Sequence, residues 1–325
     1  MSSLLSVKNM SINFDTPRGS LEAVRGVDIE IPAGTSVGVV GESGSGKTVM
    51  CRAAMGLLQG SNVKRSGTVV FDGHELTAMS KEEVRNLFGS GMAMIFQDPM
   101  TALNPVRRIG SQLSEGLRVR LGMSKADALV RSKELLELVR IPNAAAILKS
   151  FPYQLSGGMR QRVMIAIAIA CNPKLLFADE PTTALDVTVQ AQILQLLREL
   201  REDLKMSMVL VTHDLGVVAG NTDYVAVMYA GEVVEYAPTA KLFADMRMPY
   251  TEALLESIPK VDHKSGTRLA MIAGRLPDPT DRGAGCSFAP RCKYAQEKCH
   301  KEHPELKKDP DGHLYRCWFP IGEAK

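Results

Sequence analysis

The sequence has no long run of apolar residues and no leader-like N-terminus. Its best apolar stretch, "VMIAIAIAC" at 163–171, is about half of the roughly 18–20 residues that cross a bilayer, so it is predicted to form a buried helix. The first residues, "MSSLLSVKNMSINF", carry no basic segment before a long apolar core, which argues against a secretory signal. We therefore expect a cytoplasmic protein without a membrane span.

The sequence also lacks an excess of charge of either sign. Its 325 residues include 39 Lys and Arg against 36 Asp and Glu, which gives a net charge of +3. That value is too small to favour binding to nucleic acid or to a membrane surface. The length predicts two or three domains, and an apolar fraction of 45% is typical of a globular protein.

Cysteine is scarce, and four of the six cysteines fall within the last forty residues. Cys51 and Cys171 lie in apolar helical stretches and are interpreted as buried. The other four are separated by five, six and seventeen residues, whereas structural zinc favours tighter C-x₂₋₄-C pairs. Stable disulfides are rare in the cytoplasm, so the spacing leaves zinc and an iron–sulfur cluster about equally open. The candidate ligands are Cys286, Cys292, Cys299 and Cys317, while His300, His303 and His313 are interpreted as solvated surface residues.

A glycine-rich loop joins a short apolar run to a helical pattern in "TSVGVVGESGSGKT", residues 35–48. The stretch matches G-x-x-x-x-G-K-[ST] completely, and strand, loop and helix are the context that a phosphate-binding P-loop needs. Backbone N–H groups of such a loop turn toward phosphate oxygens, the lysine reaches the β- and γ-phosphates, and the hydroxyl serves Mg²⁺. The predicted nucleotide ligands are Gly41, Ser43, Gly44, Gly46, Lys47 and Thr48.

Two acidic residues end a second predicted strand in "KLLFADEPTTALD", residues 174–186. Asp179 is predicted to hold Mg²⁺, and Glu180 is predicted to act as general base toward the attacking water. Three weaker motifs also place a polar residue at the end of a predicted strand or the start of a predicted helix. "FQDP" ends a strand at Gln97, "LSGGMRQR" begins a helix at Ser156, and "VLVTHD" ends a strand at His213.

In this order the motifs resemble those of the ATP-binding subunits of ABC transporters, over about residues 4–245. The resemblance implies an α/β fold with a RecA-like P-loop ATPase core, an antiparallel β-subdomain and a helical insert. "LLSVKNMSINF" and "GVDIEI" agree with early strands, and "VAVMYAGEVVEYAP" predicts a hairpin that turns at Ala230-Gly231. The resemblance further implies that ATP lies between two such chains, with Ser156, Gly157 and Gly158 of one chain facing the P-loop of the other.

The same resemblance assigns the remaining roles. Gln97 and His213 would sense or stabilise the γ-phosphate, and Phe14 would stack on adenine. Mg²⁺ would be held by Thr48, Gln97 and Asp179, and the D-loop would span Ala184–Asp186 with Asp186 contacting the nucleotide site.

Further stretches resemble the dipeptide/oligopeptide and nickel importer branch: "QDPMTALNP" at 97–105, "MPYTEALLESIP" at 248–259 and "AGRLPDP" at 273–279. The branch implies an ATPase domain at 1–245, with a helical subdomain at about 100–160, and a small cysteine-rich C-terminal extension at 246–325. It implies a 4Fe-4S cluster in that extension, with zinc as the alternative. The implied partners are two membrane permease subunits, a second identical or homologous ATPase and an external solute-binding protein, at the cytoplasmic face of the inner membrane.

Other functions are weighed against this one. An importer of nickel or other small solutes fits the same branch. A soluble ABC ATPase acting on nucleic acid usually has two cassettes in one chain, whereas this chain has one, and its tail lacks aromatic and basic clustering, so no nucleic acid is expected. A regulatory subunit with a degenerate site conflicts with the intact Lys47, Glu180 and His213.

Overall fold

The computed structural model describes residues 3–17, 19–183, 185–258 and 272–322. Its chain divides into two units, the first made of Met1–Ala78 with Leu210–Lys325 and the second of Met79–Val209. The first unit is thus discontinuous in sequence, and the second is inserted into it. Of the sequence motifs, Ala184 and Pro259 lie outside the described residues.

The described strands and helices follow one another along the chain. The strands are β1 (Ser3–Thr16), β2 (Gly19–Pro32), β3 (Ser36–Val40), β4 (Val63–Phe71), β5 (His74–Glu75), β6 (Met92–Ile95), β7 (Leu175–Asp179), β8 (Ser207–Thr212), β9 (Tyr224–Tyr229), β10 (Glu232–Pro238), β11 (Lys307–Lys308) and β12 (Leu314–Tyr315). The helices are α1 (Lys47–Ala54), α2 (Lys81–Asn86), α3 (Pro99–Ala102), α4 (Ile109–Leu121), α5 (Lys125–Leu138), α6 (Ala144–Ile147), α7 (Gly157–Ile169), α8 (Val187–Asp203), α9 (Leu215–Ala219), α10 (Thr239–Ala244), α11 (Pro249–Glu256) and α12 (Glu297–Lys301).

Antiparallel pairing dominates one sheet of the first unit, in the order β2-β1-β4-β5. Its two long strands contain "LLSVKNMSINF" and "GVDIEI", the stretches expected to form early strands, and they pair from Ser3↔Pro32 to Thr16↔Gly19. Alternate residues such as Leu5 and Val7 are buried, which is the period-2 pattern of a half-buried strand. The expected antiparallel sheet is therefore present.

A second sheet of the first unit carries the P-loop strand, with neighbouring strands in the order β11-β12-β10-β9-β3. β3 runs parallel to β9, and β9 and β10 form the predicted hairpin. Ala230 and Gly231 both have positive φ, 48° and 82°, as a two-residue type I′ turn requires. β12 from the C-terminal region adds to the outer side of β10, with Glu235 opposite Tyr315.

C-terminal residues complete the core of this unit. Tyr229 of β9, Tyr250 of α11 and Phe288 form a mutual aromatic cluster, with ring centroids 4.6, 5.2 and 5.3 Å apart. They belong to one buried cluster with Val40 of the P-loop strand and Tyr315 of β12. The composition of 246–325 suggested a segment too small for a good core of its own, and the structure gives it a core shared with the cassette strands.

In the second unit, β6 and β7 pair in parallel from Met92↔Leu175 to Ile95↔Ala178. Both strands are buried along their length, as expected for parallel strands. The helices predicted between about 100 and 160 are present as α3 to α7. α7 contains most of the apolar stretch at 163–171 and is largely buried, and within the described part of the chain no helix is long and apolar enough to cross a membrane.

Candidate nucleotide-binding site

The P-loop connects β3 to α1 and depends on glycine at two close approaches. A Cβ on Gly41 would lie 2.1 Å from the carbonyl oxygen of Met228, and one on Gly46 would lie 2.6 Å from that of Ala23. Gly46 also has φ +99°, which favours glycine, and it is the residue before the first turn of α1. The glycines thus let the loop pass between two backbones and present the N-terminus of a helix.

Lys47 is buried at the start of α1. Its Nζ donates hydrogen bonds to the carbonyl oxygens of Gly41 at 2.7 Å and of Glu42 at 3.0 Å. The ammonium is therefore held across the loop that it would serve, 5% exposed and close to the backbone that would surround a phosphate. Ser43 and Gly44 are exposed at the tip of the loop.

The other predicted nucleotide ligands of the first unit lie on separate elements. Thr48 is half-buried in the first turn of α1. Phe14 is half-buried on β1, where it pairs with Leu21 of β2, and His213 is exposed directly after the end of β8. Each therefore retains surface for a ligand.

The second unit brings Gln97 and Glu180 together. The carboxylate oxygen Oε2 of Glu180 accepts a hydrogen bond from Nε2 of Gln97 at 3.1 Å and another from the Thr183 hydroxyl at 2.9 Å. Glu180 has φ +45°, an unusual conformation for a non-glycine residue that turns the chain sharply after β7. Asp179, the last residue of β7, is fully buried.

Two helix N-termini carry the remaining predicted residues. The Ser156 hydroxyl caps α7 by accepting a hydrogen bond from the Met159 N–H at 3.3 Å, and Ser156 is exposed. Gly158 follows in the first turn, where a Cβ would lie 3.0 Å from Cγ1 of Val189, while Gly157 is less crowded. Asp186 caps α8 through the Val189 N–H at 2.9 Å.

Two C-terminal side chains that contact the P-loop could not be predicted from the sequence motifs. The Glu42 carboxylate is held by Arg291 at 2.6 and 2.9 Å, and the Glu42 N–H donates to the Tyr250 hydroxyl at 2.9 Å. Arg291 lies 249 residues away in the chain. A local sequence pattern cannot predict the pairing of Glu42 with Arg291, because nothing in it distinguishes these two residues from any other glutamate and arginine of the chain.

All four C-terminal cysteines line one cavity. The other lining side chains are mostly apolar, and they are Met248, Pro249, Phe288, Ala289, Tyr294, Trp318 and Phe319. Burial raises the pKa of the Cys286 thiol to about 11 and that of the Cys317 thiol to about 12, and it also raises the pKa of Cys292. Among the described residues, no group of three or more His, Cys, Asp or Glu side chains is arranged to hold a metal ion, so the metal or cluster stays a prediction.

The interpretation of the C-terminal histidines as surface residues is wrong for His313. Its side chain is fully buried, and Nε2 lies 2.8 Å from Oε1 of the equally buried Glu235. His303 is partly buried and lies 3.0 Å from Glu232. Both carboxylates are on β10, so the histidines help to hold the C-terminal region to this strand.

Comparison with known proteins accounts for this combination of motifs. The family profile "ABC transporter" matches residues 24–183, and "Oligopeptide/dipeptide transporter, C-terminal region" matches residues 234–299. The oligopeptide transport ATP-binding protein AppD of Bacillus subtilis (strain 168) is 47% identical over 98% of this chain and 97% of its own. The dipeptide transport ATP-binding protein DppD of Escherichia coli (strain K12) is 46% identical over 99% of this chain and 98% of its own.

A solved structure agrees with the cassette fold. The dimeric post-hydrolysis state of the ATP-binding cassette MJ0796, bound to ADP and Pi, aligns with a TM-score of 0.65 and 28% identity over 72% of this chain and 98% of that chain. Nearly full-length relatives at 46–47% identity leave no ambiguity about membership. The chain belongs to the ATP-binding proteins of the ABC transporter family, in the group that carries the oligopeptide/dipeptide transporter C-terminal region.

Proposed function

We propose that this protein hydrolyses ATP to drive the import of peptides by a membrane transporter. The observation that carries the peptide substrate is the match of residues 234–299 to the oligopeptide/dipeptide region, together with relatives named as oligopeptide and dipeptide transport proteins. The P-loop geometry and the pair of Gln97 and Glu180 support the ATPase activity.

Each residue of the site has a chemical task in this proposal. The P-loop N–H groups and Lys47 would bind the phosphates, and Phe14 would stack on adenine. Thr48, Asp179 and Gln97 offer hydroxyl, carboxylate and amide oxygens, which are the ligands that Mg²⁺ prefers. When bound, Mg²⁺ neutralises charge that develops on the phosphates.

Hydrolysis itself would depend on a base and on a sensor of the γ-phosphate. Glu180 would accept a proton from the attacking water, because its carboxylate is half-buried and fixed by Gln97 and Thr183. His213, exposed at a strand end, would contact the γ-phosphate.

A second ATPase chain would complete each site. Ser156, Gly157 and Gly158 stand at an exposed helix N-terminus, which favours an anion and suits the γ-phosphate bound by a partner's P-loop. Asp186 would lie beside that interface, and the dimeric state of MJ0796 supports the arrangement. The second chain would be identical or homologous.

The transporter implies further partners. Two permease subunits would carry the pathway through the membrane, and an external solute-binding protein would deliver the peptide. This chain would then be peripheral, at the cytoplasmic face of the inner membrane. Residues 1–245 would serve as the ATPase domain, with a helical subdomain at about 100–160, and residues 246–325 as a C-terminal extension.

A 4Fe-4S cluster held by the four cysteines belongs to the same proposal. The fit rests on the donor set: four thiols line one cavity whose other walls are mostly apolar. Because burial raises the pKa of the Cys286, Cys292 and Cys317 thiols, a bound cation would be needed to stabilise their thiolate forms at neutral pH.

Peptide uptake tests the transport function. The protein, its permeases and the matching solute-binding protein are reconstituted in proteoliposomes with ATP inside and di- and tetrapeptides outside. We expect ATP-dependent peptide uptake that Lys47→Ala abolishes. Uptake of nickel without uptake of any peptide would overturn the proposed substrate, and ATP hydrolysis that never couples to transport would overturn the importer role.

Iron analysis tests the cluster. Protein purified without air should be brown, with broad thiolate-to-iron absorbance, and should contain about four irons per chain. Colourless protein that holds one zinc ion would assign the site to zinc instead.

A further inference from the structure

Arg291 joins the C-terminal region to the P-loop, and its guanidinium uses every N–H group that it can donate. Nη1 donates to Oε2 of Glu42 at 2.6 Å and to the Tyr229 hydroxyl at 3.3 Å. Nη2 donates to Oε1 of Glu42 at 2.9 Å and to the Ile272 carbonyl at 3.1 Å, and Nε donates to the Ala273 carbonyl at 2.8 Å. These five hydrogen bonds equal the five N–H groups of an arginine, and the side chain is only 3% exposed.

Glu42 is the second residue of the P-loop, and C-terminal residues fix it from two sides. Besides the Arg291 pair, its backbone N–H donates to the hydroxyl of Tyr250 at 2.9 Å. Its carbonyl oxygen accepts from Nζ of Lys47, the lysine expected to bind phosphate. Glu42 therefore contributes, together with the Gly41 carbonyl, to holding the Lys47 ammonium.

The same region lies against the tip of the loop. Cδ1 of Leu276 is 3.6 Å from the position that a Cβ on Gly44 would take. Arg282 donates to the backbone carbonyl of Glu22, and the Glu22 N–H donates to the carbonyl of Pro279 at 3.0 Å. The contact at Glu42 is thus one of several between 276–291 and the N-terminal part of the first unit.

The positive charge of Arg291 also affects the electrostatics of the P-loop. A P-loop binds a triphosphate with several negative charges, and the Glu42 carboxylate adds a further negative charge to this loop. A bidentate guanidinium neutralises that carboxylate, and its low exposure weakens the screening by water. Without Arg291, the carboxylate would repel the ligand that the loop has to bind.

We propose that Arg291 is a positioning residue of the nucleotide site, which holds the P-loop through Glu42 and cancels the charge of its carboxylate. The inference rests on the proposed function only in taking ATP as the ligand of the loop. The C-terminal region then contributes directly to ATP affinity.

Nucleotide affinity of the purified full chain tests the proposal. Binding of a fluorescent ATP analogue with Mg²⁺ is followed by anisotropy, and folding of each variant is checked by circular dichroism. Arg291→Ala should raise the Kd by about tenfold or more, as expected for an unpaired charge near the phosphates. Arg275→Ala is the matched control, since it removes an exposed arginine from the same region and should leave the Kd unchanged.

The double variant separates charge cancellation from a structural role. Glu42→Gln removes the repelling charge, so Arg291→Ala with Glu42→Gln should bind ATP more tightly than Arg291→Ala alone. A double variant that binds no better than the single one, or a single variant with the wild-type Kd, overturns the proposal. If Arg291→Ala does not fold, Arg291→Gln replaces it: an amide carries no charge to cancel that of the Glu42 carboxylate, and an unchanged Kd would then refute the role.

ATP binding by the wild-type protein and by Lys47→Ala distinguishes failure of the positioning role of Arg291 from failure of the proposed function. If the wild type binds no ATP, the ATPase proposal itself falls. If the wild type binds ATP, Lys47→Ala does not, and Arg291→Ala binds normally, only the positioning role falls.

Discussion

Replacing Glu180 by Gln should separate ATP binding from ATP hydrolysis. The carboxylate oxygen Oε2 accepts from Gln97 at 3.1 Å and from Thr183 at 2.9 Å, and an amide oxygen of the same size can accept both hydrogen bonds. The loss is the difference between charge-assisted and neutral bonds, about 1 kcal/mol of stability. The nucleotide contacts of the P-loop are unchanged, so ATP affinity should stay near the wild-type value.

Turnover should fall much further than stability. An amide cannot accept the proton of water, and loss of a general base costs about 10²–10⁴ in rate, which is about 2.7–5.4 kcal/mol of barrier. Phosphate release under saturating ATP measures the rate, and size-exclusion chromatography with ATP should show an accumulated dimer. Glu199→Gln is the matched control, because this acid of the same unit pairs with Arg140 and has no role in the proposed site. Wild-type turnover in Glu180→Gln would remove Glu180 from the mechanism.

Three further predictions concern the partner site, the core and the cysteines. Ser156→Arg should abolish hydrolysis but leave nucleotide binding by its own P-loop intact. If the ATPase pair is a homodimer, mixing this variant with Lys47→Ala should restore activity, because one site of the mixed dimer then has an intact P-loop and an intact Ser156. No recovery of activity in such mixtures would contradict the shared site. Phe288→Ala should lower the free energy of unfolding by about 3–5 kcal/mol, because it removes a ring packed on two buried tyrosines, and a change below about 1 kcal/mol in urea titrations would argue against that packing. Cys317→Ser should lose iron and make residues 280–320 sensitive to protease, while Cys51→Ser should keep its iron; equal iron in both would exclude Cys317 as a ligand.

Local sequence patterns predicted the elements whose geometry is local. The strand, loop and helix around Lys47 and the hairpin at Ala230 are confirmed, because hydrophobic period and turn chemistry act over a few residues. The pairing of β12 with β10 and the Arg291–Glu42 contact had no such signal, since each joins residues far apart in the chain. The burial of His313 was missed for the same reason: its partner Glu235 lies 78 residues earlier.

The cysteine cavity shows a different limit of sequence reasoning. Spacing indicated that four thiols could serve one site, but it carries no information on the walls around them. The structure supplies mostly apolar walls, and burial there raises the pKa of the Cys286, Cys292 and Cys317 thiols. The division at residue 245 stays a prediction, because compactness groups the C-terminal region with residues 1–78.

The discontinuous first unit has a consequence for synthesis on the ribosome. Ser36, at the start of the P-loop strand, hydrogen-bonds to Asp223, which is 187 residues later in the chain. At about 5–20 residues per second, roughly 10 to 40 s pass before the strand's parallel neighbour β9 is made, so the nascent P-loop strand spends that time without this neighbour. The outer side of β10 waits longer still, because β12 lies close to the C-terminus. A premature stop shortly before β12 would therefore release a chain with a nearly complete cassette and an uncovered outer edge of β10, and such an edge favours aggregation with other chains.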